Sequence, residues 1–113
     1  MAKIEVCRIV AGWDTKHEEN RWWEARLITY QSEKVIKQVK YRDQRYRSGF
    51  LAIRSIIFND VFGSYKKNQD DQKKSQILED CAHAKLIEEM IQDGWEPAGN
   101  DEHGRINMMK RTR

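Results

Sequence analysis

A chain of 113 residues fits one domain and is long enough to bury a core without disulfides or a structural metal. At 39% hydrophobic and 35% charged it is polar, yet four Trp, four Tyr and three Phe supply the large apolar surfaces that disordered chains lack. The net charge of +3 is only mildly basic, no stretch approaches the roughly 18 apolar residues of a membrane span, and MAKIEVCRIV does not read as a secretory signal, so a cytoplasmic protein is expected.

The first expected strand covers about 3–11, KIEVCRIVA, with Ile4 and Val6 on one face and Cys7, Ile9 and Ala11 on the other. That change of phase suits a strand covered on parts of both faces, or one with a bulge. GWDTKHEEN reads as a polar loop. The second strand, about 21–30, alternates Trp23, Ala25, Leu27 and Thr29 against Trp22, Glu24, Arg26, Ile28 and Tyr30. A third, about 33–41, puts Val35, Lys37, Val39 and Tyr41 on one side. Short connections make these three an antiparallel meander.

Ser48 is a candidate N-cap for a helix over about 49–62, where Phe50, Ile53, Ile57 and Val61 recur at helical spacing. SYKKNQDDQKK carries no periodic apolar residue and reads as a linker. A second helix spans about 75–93 with two apolar stripes, one of Ile77, Cys81, Ala84, Ile87 and Ile91, the other of Leu78, Ala82, Leu86 and Met90. One stripe suits the sheet. The other calls for the first helix or a second copy of the chain, and a homo-oligomer, a dimer, is expected. Gly94 is placed for the left-handed position after the last turn, with Trp95 folding back on Met90 or Ile91. A terminal strand covers about 105–111 and is open to hairpin pairing with Glu96 to Ala98. The expected fold is α+β: an N-terminal three-stranded antiparallel meander, two helices packed on one face, and a C-terminal strand.

No arrangement of catalytic groups stands out. His17, His83 and His103 lie in no motif with known mechanics, and Cys81 and His83, two apart on a helix, point to different sides. The clusters His17, Glu18, Glu19 and Asp101, Glu102, His103 lack metal-ligand spacing, so neither metal nor cofactor is called for. Cys7 and Cys81 are expected as two buried free thiols. The sequence points away from an enzyme.

The charge distribution says more. From Lys34 to Arg54 seven cations face Asp43 alone, whereas from Glu79 to Glu102 eight acids face Lys85 alone. KYRDQRYRSGF joins guanidinium forks to flat aromatic rings, which suits a phosphate beside a base. The expected function is therefore non-enzymatic binding of an anionic ligand, a nucleotide or nucleic acid, through Arg42, Arg45, Arg47 and Arg54. Tyr46 or Trp22 would be the stacking platform, and Arg105 and Arg111 of the basic tail would extend the patch. The alternatives are that the acidic helix neutralises these arginines, or that the chain is a protein-interaction module working through a hydrophobic helix face.

Overall fold

A computed structural model describes residues 3–46 and 63–113. Five antiparallel strands form one sheet: β1 (Ile4–Trp13), β2 (Asn20–Ile28), β3 (Glu33–Arg42), β4 (Glu96–Asn100) and β5 (Ile106–Thr112), in the order β3-β2-β1-β5-β4. The N-terminal strand is thus the centre of the sheet. A short 3-10 turn, Gln44–Tyr46, follows β3, and a single α-helix among the described residues, α1 (Gly63–Gln92), crosses β2 and β3.

These findings correct the expected arrangement. The sheet has five strands, because Glu96–Asn100 is a strand of its own paired with β5. One α-helix, and not two, is described. The helix expected over 49–62, with Arg47 and Arg54 inside or beside it, lies outside the described residues. The linker expected in SYKKNQDDQKK is instead the start of α1, which runs for 30 residues or about 45 Å.

The core lies between α1 and one face of the sheet. Cys7 and Ile9 of β1, Trp23 and Ala25 of β2, and Met109 of β5 meet Ala82, Leu86, Ile87 and Met90 of α1, with Trp95 closing the end. The register explains the selection: Cys7 pairs with Leu27 and with Met109, and Ile9 with Ala25, so one face of three strands is apolar together. β1 is regular throughout, and its half-buried Val6 and Val10 account for the apparent change of phase. The irregularity falls in β3. Ala25 pairs with Lys37 but Arg26 with Val35, so Ile36 is the extra residue of a bulge. Val39, Tyr41 and Lys37 therefore face α1, where Lys37 reaches Asp93 at 2.6 Å, while Val35 turns to the other side and is exposed.

The end of α1 is set by its cap. Gly94 has φ of +94°, its N–H donates to the Ile91 carbonyl, and the Trp95 N–H donates to the Met90 carbonyl at 3.0 Å. This pair of bonds is a Schellman motif, and the buried Trp95 beside Met90 supplies its hydrophobic contact. One expectation is corrected nearby. Cys81 is exposed, leaving Cys7 as the buried thiol. His83, which belongs to no motif in the sequence, is buried edge-on against Trp23, with Nε2 2.9 Å from the Ile106 carbonyl. No described helix is long and apolar enough to cross a membrane.

Candidate anion-binding site

The arginines grouped by the sequence separate in space according to whether α1 or β1 offers them an acid. Arg45 belongs to the first kind. The 3-10 turn folds it back on Asp43, whose fully buried carboxylate accepts from Nε and from the terminal nitrogen at 2.6 Å. Arg45 also donates to Glu79 at 2.8 Å and to Gln76 at 3.0 Å of α1. Burial works to raise the Asp43 pKa, but the bonds from Arg45 outweigh it and hold the carboxyl below its usual range. Arg45 is correspondingly harder to deprotonate, chiefly through its bond to Asp43.

Arg105 is the next member of the same chain of ion pairs. It donates to Asp80 at 2.5 Å and approaches Glu79 at 3.4 Å, with its guanidinium 5.5 Å from the Trp23 ring. Arg111 reaches Glu5 at 3.2 Å, donates to the Asp93 carbonyl, and lies 4.4 Å over the Trp95 ring. Arg45, Arg105 and Arg111 are therefore structural cations, each already holding carboxylates. Tyr46 is also occupied, since the Arg21 guanidinium stacks 3.2 Å from its ring centroid.

Arg42 and Trp22 are placed differently. They line a depression of about 400 Å³ at the end of the sheet where β2 begins and β3 finishes, together with Asp14, Asn20, Arg21, Lys40 and Tyr41. Strand pairing assembles it: Asn20 lies opposite Arg42, Arg21 opposite Tyr41 and Trp22 opposite Lys40. Among the described residues no carboxylate lies within 4.0 Å of Arg21, Lys40 or Arg42. With Asp14 as the one acid, the lining carries an excess of two positive charges.

The site is preorganised at two points. Arg21, which shares the α1-facing side with Trp13 and Tyr41, is fixed by its bond from Nε to the Glu18 carbonyl at 3.0 Å and by the rings of Tyr46 and Trp13, the latter 5.2 Å away. Trp22 is fixed by its indole N–H, which donates to the buried Glu24, and by the flat contact of its ring with Gly12, where a side chain would overlap the indole. Burial works to raise the Glu24 pKa, and the bonds from Arg26 and Trp22 bring it below the usual carboxylate range. Burial pushes the Tyr41 hydroxyl up to about 12, with the Glu79 and Asp43 charges adding to it, so on the face toward α1 the ring is a neutral phenol.

Of the residues singled out in the sequence, the structure brings Trp22 and Arg42 together and sets Arg45, Tyr46, Arg105 and Arg111 elsewhere. Arg47 and Arg54 lie outside the described residues. Arg21 was missed because it precedes the basic segment by about twenty positions. The signal that finds it is the meander itself, since an antiparallel β2 and β3 must lay the start of one beside the end of the other. No group of three or more His, Cys, Asp or Glu suited to a metal occurs among the described residues. The chain matches no known protein family, no curated protein and no solved structure.

Proposed function

We propose that the protein is a non-enzymatic binding module for a phosphate next to a flat ring, as in a nucleotide or one unit of a single-stranded nucleic acid. The observation that carries this reading is the depression at the end of β2 and β3, where Lys40 and Arg42 border open space on the same sheet face as the fixed indole of Trp22. Guanidinium forks match phosphate oxygens with paired donors, and an indole face accepts any base without reading its sequence. The free thiols Cys7 and Cys81 fit a reducing, cytoplasmic setting for such a module.

The test is a fluorescence titration, using Trp22 as the internal probe, with ADP and with a single-stranded oligonucleotide at two salt concentrations. Saturable binding is expected. A mononucleotide held in the depression shows a shallow salt dependence, whereas a polymer that also contacts neighbouring cations loses affinity steeply as salt rises. Absence of a saturable change with both ligands refutes the proposal.

A further inference from the structure

α1 is apolar on two opposite sides. Ala82, Leu86 and Met90 are buried against the sheet, with His83 and Ile87 beside them. At 3.6 residues per turn, Ile77, Cys81, Ala84, Glu88 and Ile91 fall on the far side of the same helix, and their spacing alternates between four and three. Ile77 is 59% exposed and Ile91 51%, with Leu78 at 47% on the flank. A helix that covers one face of a sheet normally presents charged residues there. An apolar seam with steps of four and three is instead the pattern of a helix packed along another helix.

We propose that this outward seam packs against the same seam of a second copy, the two helices antiparallel and the two-fold axis passing beside Ala84. Three features of the chain select this occupant. The seam is symmetric about its centre: isoleucines stand seven residues to either side of Ala84, so Ile77 lies opposite Ile91 of the second copy and the reverse. A two-fold contact requires such self-matching, because one patch serves both subunits. The smallest side chain of the seam stands at the crossing point, where two helix backbones come nearest.

Charge then decides the direction. Glu88 is the one acid within the seam, and Lys85 flanks it. A parallel pair sets Glu88 against Glu88 of the second copy, which repels. An antiparallel pair moves the two Glu88 side chains apart and sets each beside Cys81 of the second copy, level with an Asp80 that is already held by its own Arg105. Because the seam lies on the side of α1 away from the sheet, the assembly is four layers, with sheets outside and helices inside. The groove of about 590 Å³ beside the seam, with Ala84, Ile87, Ile91 and Ile106 in its lining, continues the apolar surface that the second copy covers.

The test combines sedimentation velocity over a concentration series with cross-linking of the full chain. The wild type is expected to pass from monomer to dimer as concentration rises, and Ile91→Lys to remain monomeric with an unchanged circular-dichroism spectrum. Ile77→Lys repeats the measurement if Ile91→Lys fails to fold. In a Cys81→Ser background, Ala84→Cys should form a disulfide-linked dimer under mild oxidation, whereas the native Cys81, facing Glu88 of the second copy, should cross-link at least tenfold more slowly. A monomer at every concentration overturns the proposal, whether the seam is bare or covered from within the chain. A dimer untouched by both isoleucine substitutions overturns the surface, and rapid cross-linking through Cys81 overturns the antiparallel direction. Nucleotide binding by the same variants is independent of all these outcomes.

Discussion

Arg42 and Arg45 are three residues apart and chemically identical, yet the structure gives them opposite work, and replacing each by alanine separates the two roles. Arg42 borders the depression and holds no carboxylate among the described residues, so Arg42→Ala should change stability by no more than about 0.5 kcal/mol. A charge-assisted bond to phosphate contributes about 1.5–3 kcal/mol, and at about 1.4 kcal/mol per tenfold its loss weakens nucleotide affinity by roughly 10- to 150-fold. Arg45→Ala does the reverse. It strands the fully buried carboxylate of Asp43, which retains the Arg45 backbone N–H at 3.0 Å but loses the guanidinium that neutralises it. Breaking a buried pair from one side costs about 3–5 kcal/mol. The 25% exposure of the Arg45 side chain lets water recover part of this, and about 2–4 kcal/mol is expected. Urea denaturation followed by tryptophan fluorescence measures the first quantity, and ADP titration of the same samples the second. Equal loss of affinity in both variants, or a stable Arg45→Ala protein, would refute the division between structural and ligand-facing arginines.

Gly12→Ala places a methyl on Nε1 and Cε2 of the Trp22 indole; displacing the ring sacrifices its bond to Glu24, and a loss of about 2–4 kcal/mol in urea stability is expected, together with weaker nucleotide binding. A change under about 0.5 kcal/mol would show that the indole is not held as described. Asp43 has a depressed folded pKa, so the unfolded chain takes up the proton first: its contribution is fully present well above the unfolded value of about 3.9 and is lost as pH falls through the folded value. Asp43→Asn should therefore be less stable at pH 7 and decline less steeply between about pH 5 and pH 2, whereas parallel acid limbs in the two proteins would contradict this. Cys81 should react with iodoacetamide in the native protein at pH 8, while Cys7, pushed up to about 11 by burial, should be modified only on unfolding. Peptide mass spectrometry before and after addition of urea distinguishes the two, and native labelling of Cys7 would count against its place in the core.

The elements written most clearly in the sequence are those whose signal is local. Trp23 and Ala25 alternate with polar neighbours and turn inward as a strand must, and Asp93-Gly94-Trp95 carries the whole of its helix cap within three residues. The losses are of three kinds. From Lys66 to Gln76 α1 has no apolar residue to mark a period, although Lys and Gln cost little in a helix, so absence of a stripe resembled a linker. β4 is legible in part: the hairpin pairing open to Glu96 to Ala98 is made with β5, but its extension to Asn100 is hidden by Pro97 and Gly99, both tolerated on an edge strand where the pairing shifts. The fate of Arg45 depends on Glu79, 34 positions away, and no local pattern states that distance. The candidate site was legible only in its chemistry, as cations interleaved with aromatic rings, and not in its membership, which waits on which strand ends meet.

Segregation of charge along a chain therefore says little until the fold decides which blocks face each other. α1 crosses β2 and β3, and its acids Glu79 and Asp80 fall beside the 3-10 turn and the start of β5, where they hold Arg45 and Arg105. Each such bridge removes one cation from the surface open to ligands and ties a strand end or a turn to the helix. Lys40 and Arg42 escape because they alternate with Val39 and Tyr41 and so lie on the sheet face away from α1, where the loop after β1 contributes only Asp14. The open cations are thus a consequence of strand alternation as much as of composition: Trp22, Lys40 and Arg42 lie on the face that α1 leaves uncovered, whereas Arg45 and Arg105 reach its acids.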